Sequence, residues 1–355
     1  MTYQKTGSFT QLTKDLFNGK LSLGATLRID KADYFDAKFT PQFTAVYIPK
    51  ETISFRASYQ TGYRFPSIFE GFSNVNSGGV KRVGGLRIMS DGIFENSYTK
   101  ASIDKFQAQV NSDVNTNDLT QAQAIEKNKN TIQKNPYTYL EPEFVNSFEV
   151  GFRGIAINKV LFIDADFYYN SYKNFIAQVE ASIPNTTDPG LIPAALFSKA
   201  TQNRYRLWTN SKSKIYNYGG SLGLKYRFDQ TFTALTNATY NKLDRTDDKD
   251  GLEEGFNTPE FNINGTLIAN NIWQNLGASV TARYQNDFDY VSFLVSGNVP
   301  AYWSMDAQIN YNFKEGITAK LGGTNILNKP YTSILGGPSI GRLYYLSLVW
   351  EVQKI

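Results

Sequence analysis

From Leu21 onward the apolar residues Leu21, Leu23, Ala25, Leu27 and Ile29 alternate with Ser22, Gly24, Thr26, Arg28 and Asp30. A period of two puts the two sets on opposite faces of an extended strand, whereas helical spacing would scatter them. Ile53, Phe55, Ala57 and Tyr59 alternate in the same way with Ser54, Arg56, Ser58 and Gln60, and Leu276, Ala278, Val280, Ala282 and Tyr284 with Gly277, Ser279, Thr281, Arg283 and Gln285. Near the end Trp303, Met305, Ala307, Ile309, Tyr311 and Phe313 form one such set, and Tyr344, Leu346, Leu348, Trp350 and Val352 another.

Extended along the chain, this pattern predicts strands over 6–16, 21–30, 38–48, 52–62, 144–155, 159–182, 202–228, 231–243, 259–270, 275–286, 301–313, 317–327 and 341–352, about thirteen in all. Their connections alternate in length. Phe17-Asn18-Gly19-Lys20, Pro49-Lys50-Glu51, Ile155 to Asn158, Phe228-Asp229-Gln230, Asn270 to Gln274 and Lys314-Glu315-Gly316 are tight turns, and the connections between them are longer. Short turns on one rim and long polar loops on the other are the plan of a transmembrane β-barrel.

A soluble sandwich alternates as well, and both architectures accept a polar face carrying Arg28, Arg56, Glu149, Arg153, Asp164, Asp166, Lys225, Arg227, Arg283 and Asp306. Strands of about ten residues or more, the one-sided loops, and rings recurring near strand ends (Tyr59, Tyr169, Tyr226, Phe228, Tyr240, Tyr284, Phe313, Trp350) favour the barrel with its interfacial girdles. The 25 Phe and 23 Tyr supply those rings, while a mean hydropathy of −0.38 shows them interleaved with polar residues. No run approaches the roughly 18 apolar residues of a membrane helix, and Met1 to Thr6 lacks the apolar core of a signal peptide.

The absence of His and Cys excludes Ser-His and Cys-His nucleophiles, thiolate or imidazole zinc sites, haem attachment and disulfides. No cofactor is expected. A formal charge of +4 over 355 residues is too small to indicate nucleic acid as the partner.

Several segments resemble the TonB-dependent outer-membrane receptors. Arg56 to Ser67 resembles the entry from strand to loop in that family; Leu140-Glu141-Pro142-Glu143, followed by Asn146 to Arg153 and by Asp164 to Ile176, resembles its Glu-Gly stretch and tyrosine-rich strand; Asn325-Ile326-Leu327-Asn328-Lys329-Pro330-Tyr331 is similar to its penultimate signature. The resemblance implies an all-β, antiparallel transmembrane barrel of about 22 strands plugged by an N-terminal domain, with extracellular loops and periplasmic turns. It implies active import of a scarce nutrient (an iron-siderophore, cobalamin, a glycan or a peptide) energised by the TonB complex. Neither plug nor TonB box is recognisable, so residues 1–355 are expected to be the C-terminal part of such a barrel. The implied partners are outer-membrane lipid, the extracellular ligand, the TonB complex and the barrel-insertion machinery. The family usually ends on an aromatic residue, whereas here Trp350 is followed by Glu351 to Ile355. A passive porin and an outer-membrane enzyme are the alternatives; an odd strand count speaks against the first and the lack of histidine against the second.

Candidate chemistry lies in the loops. Residues 63–143 form a connection far longer than the roughly 15 residues at which an unstructured loop becomes unusual. Within it Leu119, Ala122, Ile125 and Ile132 follow helical spacing after a capping Asp118, and Ile103, Phe106 and Val110 suggest a shorter helical turn. Gly78 to Arg87 reads either as a surface hairpin or as an anion-holding loop. The candidate ligand-binding residues are Tyr63, Arg64, Lys81, Arg82 and Arg87 here, and Tyr205, Arg206 and Trp208 beyond the loop 183–203, because rings and cations stack on or pair with a ligand. Asp244, Asp247, Asp248, Asp250, Glu253 and Glu254 crowd another loop, but Thr246 and Asn257 stand where an EF-hand needs carboxylates. Asp164 and Asp166 share a strand face, where Arg153, Lys225 and Arg227 are available to pair with them.

Overall fold

The structure, a computed structural model, describes residues 3–245, 256–292, 295–313 and 316–351. Thirteen strands form one antiparallel sheet: β1 Lys5–Leu16, β2 Leu21–Ala32, β3 Lys38–Lys50, β4 Ile53–Arg64, β5 Glu143–Ala156, β6 Leu161–Lys173, β7 Ile215–Arg227, β8 Phe232–Arg245, β9 Phe261–Trp273, β10 Leu276–Gln285, β11 Tyr302–Asn312, β12 Ile317–Thr324 and β13 Leu343–Trp350. Each pairs with the wall strand before it and the one after it, so the sheet is a meander with β1 and β13 as its two edges. Among the described residues the two edges do not pair, and the wall is an open arc of barrel.

Alternation dictates the faces. Tyr59, Phe148, Tyr169 and Tyr218 stand in register across β4 to β7 on the apolar face, and Tyr284 stacks 4.7 Å from Trp303 further round. At the opposite rim Tyr226 meets Phe228 and Tyr311 meets Phe313, each at 4.8 or 4.7 Å. Two aromatic bands thus bracket a belt that includes Phe43, Val150, Phe167, Leu267, Leu321 and Leu346, all exposed. An apolar belt that wide facing outward has lipid as its natural neighbour.

The polar face carries ion pairs. Asp164 accepts from Arg153 at 2.6 Å and from Arg56 at 3.3 Å, and Arg283 meets Asp306 at 2.5 Å. The cations expected beside Asp164 and Asp166 were Arg153, Lys225 and Arg227; Arg56 fills that role with Arg153 instead. Lys225 pairs in register with Phe162 and Arg227 lies further toward the short-turn rim, out of step with the carboxylates.

Two expected strands divide. The stretch 159–182 breaks after β6, where Asn174 adopts a left-handed φ of 54°, and 202–228 breaks at 211–214 before β7 begins. The outer halves leave the wall and join a second sheet above the long-loop rim. The expected helix after Asp118 starts instead at Gln121: Asp118 has a φ of 50°, and Thr120 is the cap, its hydroxyl accepting from the Gln123 N–H while the Gln123 side chain accepts from the Thr120 N–H. That shift turns Ala124 rather than Ala122 into the core, against Phe106 and Val110 of the helix Lys100–Thr116. The acidic residues 246–255 lie outside the described residues, leaving Asp244 near the end of β8.

Asn325, in the penultimate motif, is 2% exposed with a φ of 47°; its side-chain NH2 donates to the carbonyls of Lys329 and Ile340, and its backbone N–H donates to Asp306. Tyr331 stacks on Tyr302 at 4.1 Å. The motif pins the long β12–β13 loop to the wall.

Candidate ligand-binding site

Three separate parts of the chain build the sheet above the rim. Ile176–Pro184 continues from β6, Gln202–Asn210 runs antiparallel to it, and Val80–Val83 joins Gln202–Asn210 in parallel, flanked by Asn74–Ser77 and Tyr98–Thr99 at the edges. The turn between Asn74–Ser77 and Val80–Val83 is Gly78-Gly79, both at positive φ, the geometry that a two-residue hairpin needs and glycine adopts without strain. So the Gly78 to Arg87 segment is a hairpin, but its second strand is built into a sheet, and Val83 to Leu86 are buried.

Its seat on the wall comes from the Glu-rich motif. Glu143 at the start of β5 is buried, accepting from the Ile176 N–H at 3.0 Å and from Arg64 at 3.2 Å, while Arg64 also reaches Glu70 at 2.9 Å. Asn210 donates to the carbonyls of Glu141 and Asn174 and accepts from the Glu141 N–H. These bonds satisfy backbone groups where both strands leave the barrel.

The cap sheet has unlike faces. Ala177, Val179, Ala181, Leu207 and Val83 point to one side and pack with Phe94 and Tyr137 into a core. Gln178, Glu180, Arg206, Trp208, Arg204 and Arg82 alternate with them on the other side. Arg206 pairs with Glu180 at 2.5 Å, Arg82 lies over the Phe69 ring at 5.8 Å, and Phe69 meets Trp208 edge-on at 6.1 Å. The indole Nε1 of Trp208 and the Oε1 of its cross-strand neighbour Gln178 are both buried with no hydrogen-bond partner among the described residues.

Of the residues proposed from sequence, the structure therefore brings together Arg82, Arg206 and Trp208. Tyr205 is one residue from Arg206 and so falls on the opposite face, packed against the core beside Ala181, with Lys81 next to it in register. Arg64 is engaged by two carboxylates, Tyr63 packs on Phe144 at 4.8 Å with Lys38 over its ring, and Arg87 lies over Tyr139 at 4.8 Å and pairs with Asp91. Gln178, Glu180, Arg204 and Phe69 were missed. The alternation inside 176–184 and 202–210 carried the first three, once those stretches are read as separate strands; nothing in the sequence placed Phe69 beside Trp208.

A cavity of about 1280 Å³ lies beside this face, between the strand Ile176–Pro184 and the start of the helix Lys100–Thr116. The helices around it are clasped by Asp113, whose carboxylate accepts from Lys127, Asn128 and Asn117; these bonds, Lys127 first, lower its pKa to about 2. Nearby, the Tyr139 hydroxyl donates to Glu95 at 2.6 Å, which lowers the Glu95 pKa, and burial followed by that bond raises Tyr139 above its ordinary value.

The family described as TonB dependent receptor-like, beta-barrel, matches residues 1–326. No curated protein matches the chain. Among solved structures, the siderophore receptor PirA from Acinetobacter baumannii superposes with a TM-score of 0.60 at 14% identity, over 98% of this chain and 45% of that one. The FrpB iron transporter from Neisseria meningitidis gives 0.60 at 15% identity over the same shares, and the copper transporter OprC gives 0.59 at 13% identity, over 93% of this chain and 43% of its own. The chain thus spans less than half the length of these structures, and at such identity they speak for the fold. With a family match over most of its length and a thirteen-stranded antiparallel wall to go with it, this chain belongs to the TonB-dependent receptor β-barrel family.

Proposed function

We propose that the protein supplies barrel wall and ligand-binding cap to an outer-membrane receptor that captures a scarce nutrient and imports it with energy from the TonB complex. On this reading the long-loop rim is extracellular, the short turns are periplasmic, and β1 and β13 pair with further strands of a larger barrel. The observation that carries it is the cap: a sheet assembled from both long connections and mounted over one rim, with Arg82, Arg206, Trp208 and Phe69 on one face. Rings and cations held on a rigid support provide stacking and charge pairing for a ligand at low ordering cost. A passive pore gains nothing from such a cap.

Deleting residues 71–135 from the intact receptor tests this. Uptake of the receptor's nutrient should be abolished while the barrel stays heat-modifiable on gels, because the deletion spares all thirteen wall strands. Uptake at the parental rate would remove the cap from the mechanism.

A further inference from the structure

The cap's large cavity continues into a second of about 170 Å³, the two sharing Lys100, Asp104 and Glu180 in their walls. Together they make one groove along the sheet. Seven cations line it (Lys100, Lys105, Lys127 and Lys212, then Lys199, Arg204 and Arg206) against two carboxylates, Asp104 and Glu180. Three of the cations are compensated: Lys100 by Asp104, Arg206 by Glu180, and Lys127 by Asp113. Lys105, Lys199, Lys212 and Arg204 have no carboxylate within ion-pair distance among the described residues; Lys212 donates to the Pro136 carbonyl and Arg204 to that of Gly78, contacts that leave their charge uncompensated. The groove therefore carries an excess of positive charge.

Three features of the groove define what fits. Its larger part alone exceeds the roughly 300–1,000 Å³ of an ordinary small-molecule site, which points to an oligomer. Three of the four cations without a carboxylate partner are lysines, compact point charges that suit separated carboxylates or sulfates better than the bidentate forks a dense phosphate run favours. Between the charges the wall offers amides and hydroxyls (Ser102, Asn130, Thr131, Gln133, Gln178 and Ser182), donors and acceptors for hydroxyl groups.

We infer that the groove binds an anionic oligosaccharide, its carboxylate or sulfate groups paired with Lys105, Lys199, Lys212 and Arg204 and its hydroxyls with the polar wall. This deepens the receptor reading and rests on it for import, though not for binding.

The test is calorimetric titration of the intact receptor in detergent micelles with a uronic-acid tetrasaccharide, its methyl ester, and a sulfated tetrasaccharide of equal length. The acid or the sulfated sugar should bind at least about tenfold more tightly than the ester, with affinity falling as salt rises. Preference for the sulfated probe identifies sulfate as the charge, and preference for the acid identifies carboxylate. The double variant Lys105→Gln/Lys199→Gln, two surface changes away from the cap core, should lose about tenfold in affinity with an unchanged melting temperature. Equal binding of all three probes, or an unchanged double variant, overturns the inference. Uptake of the labelled tetrasaccharides by cells with and without a proton gradient separates the two readings: tight binding without energy-dependent uptake refutes transport and leaves the groove, whereas energy-dependent uptake of acid, ester and sulfated sugar alike, with no preference in binding, refutes the groove and leaves transport.

Discussion

Arg56 on β4 reaches over Gly151 on β5 to Asp164 on β6, ending 3.3 Å from its carboxylate although 108 residues separate them in the chain. A Cβ built on Gly151 would lie 2.4 Å from the Arg56 Nε, so the bare glycine is what lets the guanidinium cross a strand. Replacing Gly151 by Leu should push Arg56 aside and leave Asp164 to Arg153. These side chains are partly solvated, where an ion pair contributes about 0.2–1 kcal/mol. The expected loss, read from urea midpoints of the receptor in lipid, is therefore at most about 1 kcal/mol; a much larger one would mean that this network is dry.

The two faces of the wall should respond differently to charge. Leu346 is 71% exposed on the apolar face opposite Leu321, and Ala282 shares that face with Met305, while Thr281 is hydrogen-bonded to Thr266 on the polar side and Ser347 stands opposite Lys320. Arg at Leu346 or Ala282 should cost about 2 to 4 kcal/mol near mid-bilayer, and Arg at Thr281 or Ser347 much less. Equal losses in urea titrations would invert the assignment of faces.

The cap depends on two glycines at its seat. A Cβ on Gly85 would fall 2.0 Å from the Trp208 carbonyl oxygen, and one on Gly84 2.2 Å from that of Gly71. Both obstacles are backbone, so neither clash relaxes cheaply. Gly85→Ala should loosen the cap, seen as faster protease cleavage between residues 86 and 140, with the wall still folded and heat-modifiable. Unaltered cleavage would show that the segment is not packed as described.

Trp208 offers a comparison of two substitutions. Its buried indole N–H has no partner among the described residues, a situation that costs about 1–3 kcal/mol, so Trp208→Phe should leave the melting temperature unchanged or higher. Trp208→Ala also removes the contact with Phe69 and should lower it. If the ligand accepts a hydrogen bond from the indole, Trp208→Phe alone will weaken binding, which titration reads directly.

Acid should open the helical part of the cap first. Asp113 is held at about 2 against an ordinary 3.8, so its clasp stabilises the fold fully above the unfolded value and is lost as pH falls from about 4 toward 2. Proteolysis by an acid-active protease across residues 117–129 should accelerate in that window, and Asp113→Asn should abolish the pH dependence. A transition displaced above pH 5 would assign it to another group.

The wall was legible because each strand repeats one signal, and that signal survives small errors at strand ends. The pairing of Arg82 with Arg206 across the parallel strands was not, since no local pattern reports which distant strand a segment joins. Nor was the break at Asn174: asparagine takes a left-handed conformation at modest cost, but the apolar alternation runs on through Phe175 and Ile176 as if the strand were continuous. Reading 202–228 as one strand likewise hid that Tyr205 and Arg206 belong to a sheet of their own, apart from the wall. The rings and cations proposed for binding were found by type; the backbone decided which of them meet.

The parallel pairing of Val80–Val83 with Gln202–Asn210 joins segments more than 120 residues apart, while most wall strands meet a neighbour across a tight turn. Closing so long a loop is slow unless intervening structure has already drawn the ends together. Here that structure is β5 beside β4 and β7 beside β6, which bring both roots of the cap to one rim. The order of assembly that loop closure favours follows: hairpins zip into wall, the wall gathers the two long insertions, and the cap sheet forms last, so that the wall can be complete before the face built from both insertions exists.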